Sequence, residues 1–129
     1  MKNKFLPVFL AGMWVGLSEF VRNELLLKSH WVSHDQQLGL IFPSSPVNAI
    51  IWVIWSFVFV GLIFVLLQKF SSMQTTLLAW VFGFFMMWLV VWNLDVLPLS
   101  ILPLAVPLSI LETFLAAYIC KALPRAKTA

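Results

Sequence analysis

The sequence predicts an all-α protein, a four-helix transmembrane bundle with both termini on the cytoplasmic side, and three observations predict it. Four apolar stretches, at residues 5–27, 46–68, 75–92 and 100–121, each approach the ~20 residues that a helix needs to cross the hydrocarbon. Of the 129 residues, 62% are hydrophobic and only 10% charged, with a mean hydropathy of +0.99. A soluble domain of this size could not cover that much apolar surface. The basic residues are also unevenly placed. Lys2, Lys4, Lys69, Lys121, Arg125 and Lys127 fall on one side of the predicted membrane and only Arg22 and Lys28 on the other. Basic loops stay cytoplasmic, which sets the orientation. Helices are the open-ended elements that satisfy their own backbone in lipid, so all four stretches are read as helices of a single domain, residues 1–129.

Local signals place the element boundaries. The first span begins after Lys2 and Lys4. A signal peptide is its rival, with Gly16-Leu17-Ser18 as the cleavage site, but the apolar pattern resumes at Phe20 and three further spans follow. Residues 28–45 form the one long loop. Trp31, Leu38, Leu40, Ile41 and Phe42 stand there among polar residues, so a short amphipathic segment on the outer membrane surface is expected. Ser45 can cap the second span with Pro46 at its first position. Ser71 and Gln74 have the spacing of a capping box before the third. In the fourth span Pro107 cannot donate to the Pro103 carbonyl, which predicts a kink and a free carbonyl there.

Polar residues inside spans are costly and usually face the bundle interior. They gather in the outer half: Glu19, Arg22, Asn23 and Glu24 in the first span, Asn48 at the start of the second, Asn93 and Asp95 at the end of the third. Glu112 lies nine residues before Lys121, ~13 Å above the inner boundary and so near the midplane. The inner stretches 5–13, 57–67 and 77–87 look nearly bare of polarity. Helical side chains lean toward their own N-terminus. Glu19 and Arg22 therefore lean inward and Glu112 outward, toward a common depth. Gly12, Gly16, Glu19 and Asn23 share one face of the first span. Ala105, Ser109, Glu112 and Ala116 share one of the fourth, and these two faces are expected to meet. The plainer reading makes Glu19 and Arg22 an i, i+3 pair, lets Arg22 and Glu24 reach out to the surface, and leaves the asparagines as interhelical hydrogen-bonding groups.

Other chemistry is weakly signalled. His30 and His34, at i, i+4, could share a zinc ion, but no third ligand is evident and two ordinary loop histidines are the simpler reading. No cofactor motif is present, and the single cysteine, Cys120, excludes a disulfide within the chain. The basic residues sit mostly at the termini and so mark topology, with no nucleic-acid surface. In architecture and in Glu19 the chain looks superficially like the small multidrug-resistance exporters. It departs from them in its clear charge bias and its second acid, Glu112, and their function is not carried over.

The leading functional expectation is binding or transport of a small polar or cationic solute at an outward-facing pocket. That pocket would be built from Glu19, Arg22, Asn23, Asn48, Trp52, Asn93, Asp95 and Glu112. A structural or accessory subunit, whose polar cluster fixes helix packing, is the alternative. A membrane-embedded enzyme using Glu19 and Glu112 as paired carboxylates comes last, for want of a nucleophile. The expected setting is the lipid bilayer of a bacterial inner (plasma) membrane, with a second copy or a partner subunit alongside. Topology is directly testable. In a Cys120→Ala background, Ser44→Cys is expected to react with an impermeant maleimide on intact cells; reaction only after lysis would reverse the orientation.

Overall fold

The computed structural model describes residues 4–123; Lys2, Arg125 and Lys127, which contribute to the charge bias, lie outside the described residues. The described chain is helical and contains no strand. Four helices are long and apolar enough to cross a membrane: α1 (Phe5–Leu26), α3 (Pro46–Leu66), α4 (Ser72–Asn93) and α5 (Leu99–Ala122). A shorter helix, α2 (Lys28–Gln37), follows α1.

The caps explain where two of these helices start. Ser45 precedes Pro46, and the Asn48 side-chain oxygen accepts from the Ser45 backbone N–H at 3.2 Å. At α4 the box is reciprocal. Gln74 N–H donates to Ser71 Oγ (3.2 Å) and Ser71 N–H to Gln74 Oε1 (3.1 Å). The box satisfies amides that the first helical turn leaves unpaired, and it starts α4 three residues earlier than hydropathy alone suggests. Pro107 lies inside α5, on its exposed side.

Around the bundle, α1 packs on α3 and α5, and α4 packs on α3 and α5, with α3 and α5 also in contact. α5 is thus the shared wall. Its inward face carries small and polar side chains, among them Ala105, Ser109, Thr113, Ala116 and Ala117, each no more than 1% exposed. The opposite wall is aromatic. Phe59 stacks on Trp55 with ring centroids 4.9 Å apart and meets the edge of Phe84 at 5.4 Å. The outward surfaces of α3 and α4 remain apolar, as in Ile50, Ile54, Val58, Phe82 and Leu89, in keeping with a small membrane protein.

Three expectations need correction. The glycines of the predicted α1 face pack on α3 and not on α5, Gly12 against the Phe57 ring and Gly16 facing Ser56, while Glu19 farther along that face does meet Glu112 of α5 through Arg22. The long loop holds a helix, but an even, polar one; among its ten residues only Trp31 and Val32 are apolar. The half of the bundle away from α2 is also not bare of polarity. Thr75 is fully buried there, and Thr76 and Thr113 each donate to the carbonyl four residues earlier at 2.8 Å. Those back-bonds satisfy the hydroxyls of Thr76 and Thr113 within their own helices, which is why these two sit quietly among apolar neighbours.

Gly83 faces the Phe59 ring so closely that a Cβ there would collide with it, and Phe59 is fixed between Trp55 and Phe84. Gly83→Ala is therefore expected to destabilise the bundle by about 1–3 kcal/mol. Gly61, with open space where a Cβ would stand, serves as the control. Thermal denaturation of purified Gly83→Ala, Gly61→Ala and Gly83→Ala/Phe59→Leu checks this: the first should melt early, the second should not, and the third should recover part of the loss.

Candidate functional site

The site is built outward from the last turns of α1. The helix is regular as far as Phe20, then widens into π-type turns over Val21–Leu26, where Leu27 N–H reaches back five residues to the Arg22 carbonyl (2.9 Å). An arginine near a helix end would ordinarily extend to water. Here Arg22 is only 4% exposed. Its Nη2 donates to Glu19 Oε1 in a close ion pair, and its Nη1 lies 3.7 Å from Glu112 Oε2 of α5. The guanidinium also lies over the Phe84 ring of α4, 5.2 Å from the centroid. α4 widens into π-type turns of its own over Val81–Phe85, the segment that presents Phe84 and Gly83. Widened turns of this kind occur mostly as single interruptions of α-helices, often at functional sites. In this protein two of them flank one arginine.

Glu112 is the least satisfied member. Its side chain has no exposed surface, and neither carboxylate oxygen makes a hydrogen bond of good geometry among the described residues, although Glu19 and Ser18 stand close enough for weaker ones. Its nearest polar neighbours are Glu19, Arg22 and Ser18. Four buried side-chain polar atoms lack partners in the described chain: Thr75 Oγ1, Arg22 Nη1 and the two oxygens of Glu112. Three of the four therefore belong to this cluster, whereas buried polar atoms are normally satisfied. Two carboxylates face one guanidinium, and α3 and α4 supply no acidic or basic side chain to alter that balance. The backbone here is pinned separately, by Trp14 Nε1–H donating to the Glu112 carbonyl at 3.1 Å.

Glu19, by contrast, is fully engaged. Oε1 accepts from Arg22, and Oε2 accepts from Asn23 Nδ2 at 3.0 Å. Asn23 Oδ1 in turn accepts from Trp31 Nε1 of α2 (3.2 Å). A continuous polar line thus runs from α2 through Asn23, Glu19 and Arg22 to Glu112.

Of the residues expected at the site, Glu19, Arg22, Asn23 and Glu112 come together, and Arg22 does not reach outward. Glu24 does, pairing with Lys28 at 3.1 Å. The other four stay apart from the cluster. Asn48 spends its side chain on the α3 cap, and Trp52 is 43% exposed and meets Trp55 edge-on. Asn93 is exposed, and Asp95 occupies a left-handed turn (φ 62°) in the α4–α5 connection. His30 Nδ1 lies 2.9 Å from Ser100 Oγ, and His34 Nε2 donates to the Asp95 carbonyl at 2.7 Å. Among the described residues no group of three His, Cys, Asp or Glu side chains could hold a metal ion.

The sequence reading missed Ser18, Trp31 and Phe84 as site neighbours. It also missed the Trp80 Nε1–H to Ser109 Oγ bond (2.8 Å) that ties α4 to α5. Ser18, Trp31 and Ser109 each lie within three positions of a polar residue already singled out, whereas the ring of Phe84 carries no polar group to draw notice. Comparison of the chain with protein families, curated proteins and solved structures finds no match.

The cluster makes a quantitative prediction. Arg22→Met leaves two buried carboxylates without their cation and is expected to cost about 3–5 kcal/mol. Adding Glu112→Gln should restore part of that loss, because it removes one of the two acids crowded at the vacated site. Denaturation of the single and double variants checks this, and additive losses would show that Arg22 and Glu112 are uncoupled.

Proposed function

We propose that this chain is a small multi-pass protein of the plasma membrane, its termini cytoplasmic, that binds a small polar or cationic solute at Glu112. One observation carries the reading: the Glu112 carboxylate is sealed inside the bundle, and neither oxygen makes a hydrogen bond of good geometry among the described residues. A carboxylate kept only for packing would have its oxygens satisfied, since leaving them bare is expensive. Arg22 is engaged first by Glu19 and meets Glu112 at longer range. A ligand bearing a positive charge or N–H and O–H donors would supply both the missing charge and the missing hydrogen bonds. Glu19, Arg22 and Asn23 would then hold the acceptor in place. Four helices enclose little volume, which favours a small solute. Passage across the membrane, where it occurs, would proceed by alternating access in a pair of chains.

A second reading, an accessory subunit whose polar core fixes helix packing, draws on the full engagement of Glu19 by Arg22 and Asn23. Thermal shift of the purified protein against a panel of small amines, guanidinium compounds and neutral polyols separates the two. A specific ligand at a hundredfold excess over its Kd adds about 2.7 kcal/mol. At least one cationic probe is expected to raise the melting temperature of the parent and to lose its effect in Glu112→Gln. A shift that survives in Glu112→Gln, or a panel with no effect on the parent, sinks the solute reading. The accessory reading gains if Glu112→Gln also fails to fold.

A further inference from the structure

The most loosely held of the described helices stands at the end of the bundle where α1 carries Glu19, Arg22 and Asn23. α2 joins α1 through a single residue, Leu27, next to the widened turn that carries Arg22. Its other end closes on Gly39, whose positive φ of 72° suits a helix terminator and turns the chain away. Between these two bends α2 is tethered mainly by polar contacts. Trp31 donates to Asn23, His30 meets Ser100, and His34 donates to the Asp95 carbonyl. Apolar packing is sparse: Trp31 reaches the core, but an open groove of about 350 Å³ separates α2 from the turn at residues 98–100. Segments with few buried apolar contacts and solvent-exposed hydrogen bonds open at low free energy. The long helices are held quite differently, by continuous apolar and aromatic contact along their length.

We propose that α2 is a hinged lid over the Glu19–Arg22–Glu112 cluster, latched by the Trp31–Asn23–Glu19 hydrogen bonds, whose opening gives the solute access to Glu112. The inference rests on the reading of that cluster as the binding site and adds how it is reached. Asn23 is the pivot, because it bonds Trp31 of the lid through one atom and Glu19 of the cluster through another. A solute bound at Glu112 would change the pull of Arg22 on Glu19 and so weaken the Glu19–Asn23 bond that holds the lid, coupling occupancy to lid position through one side chain.

Carboxyl labelling tests this without any solute. The parent and Trp31→Phe, which keeps the ring but removes the donor, are reconstituted in lipid nanodiscs. Each is treated with a water-soluble carbodiimide and an amine nucleophile, and modification at each glutamate is followed by mass spectrometry. Glu24, exposed beside Lys28, is the internal control. In the parent, Glu112 should label far more slowly than Glu24. In Trp31→Phe its rate should rise about fivefold, the population shift that one lost hydrogen bond produces, while Glu24 is unchanged. Ser100→Ala, which removes the His30 partner, should act in the same direction and serves if Trp31→Phe does not fold. Amide exchange in the parent should be faster across α2 than across α1, α3 and α5. The lid is overturned if Glu112 labelling is unchanged in both variants, or if α2 amides exchange as slowly as those of the long helices. Because labelling needs no ligand, an empty thermal-shift panel defeats the solute reading alone, and unchanged labelling defeats the lid alone.

Discussion

An arginine buried between two carboxylates is the constraint around which the rest of the bundle is arranged. A guanidinium out of water must be met by charge and by hydrogen-bond acceptors, and four largely apolar helices offer few. Arg22 takes Glu19 from its own helix, the Phe84 ring from α4 and, at longer range, Glu112 from α5. It thereby links α1 to both α5 and α4, the second of which it reaches across the bundle. Both helices deform to allow it. The widened turns of α1 and α4 fall where the arginine leaves its backbone and where the ring that receives it is presented. A regular α-helix at either place would rotate its residues relative to the cluster, so the two interruptions and the ion pair belong to one arrangement.

The opposite wall shows what makes that burial tolerable. The aromatic stack of Trp55, Phe59 and Phe84 is rigid and close-packed, and Gly83 lets it approach α4. The face of Phe84 carries negative quadrupole charge toward the guanidinium, which is worth more when desolvated. On the other side, the small residues of α5 let its backbone come close, and Trp14 and Trp80 then reach α5 with their indole N–H groups. Tryptophan therefore acts here less as an interfacial belt than as a set of long donors crossing between helices.

Much of this was legible in the sequence, for identifiable reasons. The long helices follow from uninterrupted apolar length, and two of their starts from Ser45-Pro46 and from Ser71 with Gln74. The convergence of Glu19, Arg22 and Glu112 follows from counting depth and from the lean of helical side chains. What periodicity cannot say is which neighbour a face will meet, and so the Gly12–Gly16 face was paired with α5 when it packs on α3. Nor does a 3.6-residue period anticipate widened turns, which shift the register of everything after them. Asn48 and Asp95 resembled site residues because local backbone uses, a cap and a left-handed turn, favour the same side chains as ligand binding. Thr76 and Thr113 escaped notice for the converse reason, their hydroxyls being satisfied within their own helices.

The contrast between the two acids gives the arrangement its direction. Glu19 is saturated by donors from its own helix, so it is a fixed element of the wall. Glu112 is equally buried but makes no hydrogen bond of good geometry among the described residues, with Arg22 Nη1 3.7 Å away. Asn23 stands between the acids and α2, donating to Glu19 on one side and accepting from Trp31 on the other. Trp31 hangs on the same asparagine and belongs to the helix with the least apolar anchorage. The polar line from Glu112 to α2 thus connects the least satisfied side chain among the described residues to the most weakly held of the described helices.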